Sequence, residues 1–298
     1  MGKILVGTCS WTDPTLIESG RFYPAWARSA EARLQYYAAQ FGLVEVDSTY
    51  YALPNERTSR LWVERTGNGF IFDIKAFRLF TQHPTPMAAL PRDIREAMPP
   101  QPRGKANIYH RDMPPELVNE LWSRFGQALL PLDSAGKLGV VLFQFPPWFY
   151  PGAEQRDYIL SCQERLPQYR IAIEFRHNSW VNEKNMDRTM GFLRDNNLPL
   201  VCVDEPQGFK SSVPPVVEAT SDIGLVRFHG RNCEMWEKKG ASVAERFNYL
   251  YTEDELQEWV PRIKQLASVT RQLHVLFNNC YQDKAVVNAR QVAFVIEG

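Results

Sequence analysis

Ionisable and amide side chains recur in this sequence at the ends of short apolar runs, spaced in the way strand residues alternate. Glu45 and Asp47, Asp73 and Lys75, Glu174 and Arg176, and Arg227 and His229 each stand two residues apart, so each pair shares one face of a strand. Cys202 and Asp204 share another. If those faces turn into a closed sheet, their last members converge over its mouth with Gln144 and Asn278. Charges in such a place cost too much to desolvate unpaired and must be paired, hydrated or ligand-bound. Pairing of Glu174 with Arg176 or Lys75, and of Asp204 with Arg227, would make a purely structural network. In a working site, Glu174, Asp204 and Asp47 are the carboxylates that burial could turn into general acids or bases, and His229 suits proton transfer near neutral pH. Lys75, Arg176 and Arg227 could clamp a phosphate or carboxylate, Arg as a planar fork and Lys as a point charge.

The same oxygen and imidazole donors allow a divalent metal cofactor. Glu45, Asp47, Glu174, Asp204 and His229 are its candidate ligands, although no His-x-His or His-Glu-x-x-His motif accompanies them. Rings follow the apolar runs: Trp11, Tyr50 with Tyr51, Trp148, Trp180 and Trp236. They could stack on a sugar or a base, or they could pack the loops down. Cys9 and Cys280 would meet across the seam of a closed sheet, as a thiol pair or as packing residues.

The elements that must position these groups are legible. Eight runs rich in Val, Ile, Leu and Phe read as strands: Ile4–Gly7, Leu43–Asp47, Phe70–Lys75, Leu138–Gln144, Arg170–Glu174, Leu198–Asp204, Ile223–His229 and Gln272–Asn278. Their near-continuous apolar character suits parallel strands covered on both faces. Helical patterns lie between them, as in Val118, Leu121, Trp122, Phe125 and Leu129, and only the helix after strand six, somewhere in Val216–Asp222, is too short to delimit. Tight helix-to-strand links and long strand-to-helix loops favour one α/β domain over 1–298, a (β/α)8 TIM-type barrel whose working face is the C-terminal end of its strands. A long proline-rich insertion, about 77–113, follows strand three; it is either a lid or a packed surface addition.

Composition narrows the function classes. Lys plus Arg and Asp plus Glu are 34 each, so no net field draws the chain to a polyanion, and nucleic acid is not favoured as a partner. The longest apolar stretch, Leu138–Tyr150, is broken by Gln144 and by Pro146-Pro147 and is too short to span a bilayer. The N-terminus enters a strand pattern without a signal-peptide layout, and the 5 cysteines lack a Cys-x-x-Cys pair, so a cytoplasmic, reduced protein is expected.

Gly7-Thr8-Cys9-Ser10-Trp11, Glu45-Val46-Asp47-Ser48-Thr49-Tyr50-Tyr51, Phe72-Asp73-Ile74-Lys75-Ala76, Phe143-Gln144-Phe145-Pro146-Pro147, Ile173-Glu174-Phe175-Arg176, Val226-Arg227-Phe228-His229-Gly230 and Phe277-Asn278-Asn279 occur in order along nearly the whole chain. Together they resemble the successive motifs of the domain of unknown function 72, or YecE-like, family. The resemblance implies a TIM-type barrel with the motifs gathered at the strand ends, and no settled activity. Members of that family usually carry Ser-Gly before the first Trp, Asn where Asp47 stands and His where Cys280 stands.

Three functions fit these residues. The leading one is an enzyme that binds a polar, anionic or nucleotide-like small molecule and acts by acid–base hydrolysis, on a phosphoester or glycosidic bond, with or without a metal. In the second, Arg176, Arg227, Arg231, Lys238 and Lys239 hold nucleic-acid phosphates beside Trp148 or Trp236. A noncatalytic sensor or partner-binding barrel, with the insertion as its contact surface, is the third.

Overall fold

The computed structural model describes residues 1–100 and 106–297. Its eight-stranded parallel sheet is formed by β1 (Lys3–Cys9), β2 (Leu43–Val46), β3 (Ile71–Lys75), β4 (Leu138–Gln144), β5 (Ile171–Glu174), β6 (Val201–Asp204), β7 (Ile223–Phe228) and β8 (Gln272–Phe277). Strand β1 pairs with both β2 and β8, so the first and last strands close one seam. Between β5 and β6 the Ile173 N–H donates to the Pro199 carbonyl at 2.8 Å, and a parallel bridge joins Ile173 to Leu200. The result is a TIM-type barrel.

Helices follow seven of the strands among the described residues: Ala30–Ala38, Glu56–Glu64, Pro115–Ser134, Ala153–Arg165, Met186–Asp195, Glu253–Val269 and Lys284–Glu297. The long helix Pro115–Ser134 begins at prolines that need no intrahelical donor, and it buries Val118, Leu121, Trp122, Phe125 and Leu129 as a single stripe. Thr252 and Glu255 form a reciprocal capping box at the start of Glu253–Val269. The link from β6 to β7, residues 205–222, contains no helix. No helix among the described residues is long and apolar enough to cross a membrane.

The main core lies between strands and helices, where stacked rings such as Phe175 on Trp180 (4.1 Å) and Phe228 on Phe277 (4.6 Å) fill the space. A smaller cluster of Leu5, Cys9, Leu43 and Leu276 plugs the barrel interior. Deeper still, the fully buried Asp73 accepts from the Val140 N–H (3.0 Å) and pairs with His274 Nδ1 (2.8 Å). Gly139 makes room for this pair, since a Cβ there would stand 2.2 Å from Asp73 Oδ1.

The insertion after β3 packs onto the barrel. A two-residue ribbon pairs Thr85–Pro86 with Asn107–Ile108, helix Arg92–Ala97 follows the first of these, and Phe80 stacks on Trp122 at 3.8 Å. Buried Phe77, Leu79, Leu90, Ile94 and Met113 anchor it, so the described part is a packed addition and not a loose lid. Pro102 lies outside the described residues.

Candidate functional site

Arg227 organises the mouth of the barrel. Its side chain projects inward from β7 in register with Val203 and Leu276, both inward-facing. The guanidinium grips Glu45 with two bonds, Nε to Oε2 at 2.9 Å and Nη2 to Oε1 at 2.7 Å, and also donates to Glu174. All three side chains have 0% exposure. Burial alone would raise the Glu174 pKa, but Arg227, then His229 and Arg176, hold it well below the usual carboxylate range. The same two carboxylates outweigh burial on Arg227 and push its pKa up.

His229 is fixed between Glu174 and Asn278. Its Nε2 lies 3.1 Å from Glu174 Oε1 and its Nδ1 lies 2.9 Å from the Asn278 amide nitrogen. Facing a carboxylate, Nε2 carries the proton, which leaves Nδ1 to accept from Asn278. Burial drives its pKa down to about 3 against the pull of Glu174, with Arg176 and Arg227 adding to the fall. Both ring nitrogens are engaged, which fixes the imidazole against Glu174.

Lys75 is the opposite case. Its ammonium makes no hydrogen bond or ion pair among the described residues; it sits 4.9 Å from the centre of the Tyr50 ring. Burial and the Arg227 charge lower its pKa, while Glu45, Glu174 and Asp47 oppose the fall. The Arg78 guanidinium also lies over the Tyr50 ring at 5.2 Å, and its buried Nε has no partner among the described residues. His83, from the insertion, approaches Tyr50 at 5.4 Å. Burial and the charges of Lys75, Arg78 and Arg176 push its pKa down to about 3. Asp47, just past β2, is pushed up to about 6 by burial, against the nearby Lys75 and with help from Glu45.

On the far side, Arg176 follows β5 and reaches Glu174 Oε1 (3.2 Å) and Glu205 Oε2 (3.1 Å) while lying over the Trp236 ring at 4.8 Å. Glu205 accepts from the Val213 N–H at 2.6 Å, but its buried Oε2 lacks a hydrogen bond of good geometry. Burial pushes its pKa up to about 7, opposed first by Arg176. Trp236 is 5% exposed, and its indole N–H has no acceptor among the described residues. Buried polar groups are almost always satisfied, and here Arg78 Nε, Glu205 Oε2 and Trp236 Nε1 are not.

Several expected members lie elsewhere. Strand β6 turns Val203 and Glu205 inward, so Cys202 and Asp204 face the helices. There Asp204 accepts from Tyr251 (2.6 Å), Trp259 Nε1 (2.7 Å) and Arg231 (2.8 Å), and it does not meet Arg227. Trp11 also packs outward, against Trp62 (5.9 Å) and Phe72 (6.3 Å), and Trp180 is fully buried. Neither ring reaches the mouth. Gln144 shares a face and register with Glu174.

No group of three or more His, Cys, Asp or Glu side chains gathers with metal-holding geometry among the described residues. Glu45 and Glu174 are tied to Arg227, His229 is tied to Glu174, and Asp204 is outside. Arg227 and Arg231 are both paired with carboxylates. Cys280 donates its thiol to the Cys9 carbonyl at 3.1 Å, across the seam where the two were expected to meet.

Glu205, Arg78 and His83 were not legible as site residues. Only Glu205 left a signal: it stands two residues after the apolar Val203, on the face opposite Asp204.

The fold and this charged mouth define a β/α barrel with ionisable side chains gathered at the C-terminal ends of its strands, the place where barrels of this architecture carry their chemistry. The chain belongs to the family described as "Protein of unknown function DUF72", which it matches over residues 5–297. It is 31% identical over 298 residues to UPF0759 protein YunF of Bacillus subtilis (strain 168), spanning 99% of this chain and 95% of that protein. Crystal structures of DUF72 family proteins are similar throughout. The one from Enterococcus faecalis V583 has a TM-score of 0.79 at 25% identity, covering 99% of this chain and 96% of its own. The one from Thermotoga maritima MSB8 has a TM-score of 0.74 at 30% identity, covering 99% and 100%.

Proposed function

We propose that the chain is an enzyme that binds a small phosphate monoester at the barrel mouth and hydrolyses it by acid–base chemistry. The supporting observation is Lys75, a half-buried ammonium with no anionic partner in contact among the described residues, held over Tyr50 next to Arg78. A cation so placed is best satisfied by a substrate oxyanion. Glu45, Glu174, Arg227 and His229 form the rigid floor that fixes Arg176 and leaves Lys75 free.

Asp47 and Glu205, with pKa values of about 6 and about 7, can divide the proton transfers near neutrality. Asp47 takes a proton from the attacking water as its oxygen bonds to phosphorus. The ester P–O bond breaks, and Glu205 gives its proton to the departing oxygen. The products are inorganic phosphate and an alcohol, and the two carboxyls return to their starting states by exchange with water.

Calorimetric titration with inorganic phosphate, together with turnover of p-nitrophenyl phosphate, tests this reading. Wild type should bind and turn over, Lys75→Met should lose phosphate binding, and Asp47→Asn should bind without turnover. Phosphate binding that survives Lys75→Met unchanged would remove the anion site. Binding without hydrolysis of any phosphate monoester would leave a noncatalytic anion sensor.

A further inference from the structure

We infer that the anion bound at Lys75 is carried by a planar heterocycle, so that the substrate class is a nucleoside monophosphate. The inference rests on the anion-site reading above and adds to it the recognition of the ring. Loops from three successive strands bring aromatic side chains to one edge of the mouth: Tyr50 and Tyr51 after β2, His83 after β3 and Trp148 after β4. They form a continuous arc, with centroid distances of 5.1 Å from Tyr51 to Tyr50, 5.4 Å from Tyr50 to His83 and 6.0 Å from His83 to Trp148.

Tyr50 joins the arc to the cations, since Lys75 and Arg78 both lie over it. The two ends of the arc are open: Tyr51 is 50% exposed and Trp148 is 52% exposed. Scattered exposed rings need no explanation, but rings linked edge to face beside unpaired cations do. Tyr50, under Lys75, is 5.1 Å from Tyr51 and joins through His83 to Trp148, so a phosphate at Lys75 would leave its base to lie along the arc. None of the four rings of the arc belongs to a carboxylate, and burial, helped by the charges of Lys75, Arg78 and Arg176, lowers the His83 pKa to about 3, so it presents a stacking face and not a competing charge.

Calorimetry on the full chain with inorganic phosphate, ribose 5-phosphate and adenosine 5′-monophosphate separates the two readings. Each stacked base–aromatic contact should tighten the nucleotide over ribose 5-phosphate by roughly 5- to 150-fold. Trp148→Ala and Tyr51→Ala, both at exposed positions that folding tolerates, should lose that gain and leave the phosphate affinity unchanged. Equal affinity for all three ligands overturns the ring inference while the anion site stands, and a nucleotide preference that survives both variants overturns the arc as its source. If wild type binds none of the three, both readings fall.

Discussion

Replacing Arg227 with Met would remove the cation from between Glu45 and Glu174 while conserving much of its volume. In the wild type the guanidinium makes bonds of 2.9 and 2.7 Å to Glu45 and another to Glu174, with all three side chains at 0% exposure. Removing one member of a buried ion pair costs about 3–5 kcal/mol, because the remaining charge keeps its desolvation penalty. Glu174 would retain His229 and Arg176, so most of the cost should fall on Glu45. The penalty must depend on pH. Without Arg227, burial raises the folded-state pKa of a carboxyl above its unfolded value of about 4.3, so the loss is full above the folded pKa and fades as pH falls toward the unfolded one. Wild-type Glu174 behaves oppositely: its depressed pKa contributes stability that persists down to the unfolded value and is lost only below it. Urea unfolding at pH 8 and pH 5 should therefore show a difference of about 3–5 kcal/mol that narrows by at least about 1 kcal/mol at the lower pH. A loss under about 1 kcal/mol, or one equal at both pH values, would refute the account of the mouth as a charge-balanced floor.

Asp47→Asn should stabilise the fold at pH 8 by about 1–3 kcal/mol and leave it unchanged below pH 4, because a carboxyl raised to about 6 destabilises only where it must ionise; denaturant titrations across that range read the effect. Asp204→Ala should cost about 3–5 kcal/mol, by orphaning Tyr251, Trp259 and Arg231, without moving the phosphate affinity; paired unfolding and calorimetry would expose a site role if affinity fell as well. Gly139→Ala would place a methyl 2.2 Å from Asp73 Oδ1 and 2.8 Å from His274 Cε1, and should lower stability by about 1–3 kcal/mol; an unchanged melting temperature would show that the Asp73–His274 pair can shift at little cost.

Much of the fold was legible from local pattern. Each expected strand overlaps an observed one, because continuous apolar runs ending in polar residues are what a strand needs when helices cover it and its end meets solvent. Period-two spacing also named most of the mouth: Glu45, Lys75, Glu174, Arg176, Arg227 and His229 all arrive there. The same periodicity misled at β6, since alternation defines two faces but does not say which one turns inward. Asp204 was chosen for its charge, yet the strand turns Val203 and Glu205 into the barrel and gives Asp204 to Tyr251 and Trp259.

What the sequence determined by itself is the barrel, its direction and the inventory of charges at its rim, since these follow from hydrophobic period and residue type. The pairing of those charges was settled only by tertiary structure. Arg227 and Glu45 stand 182 residues apart, and Glu174 is 53 residues from Arg227. No local pattern encodes which carboxylate wins a guanidinium over such separations. That choice, and with it the lone ammonium of Lys75 and the neutral imidazole of His229, depends on the register and tilt with which eight strands close, because Coulomb energy and desolvation are set by distances through space.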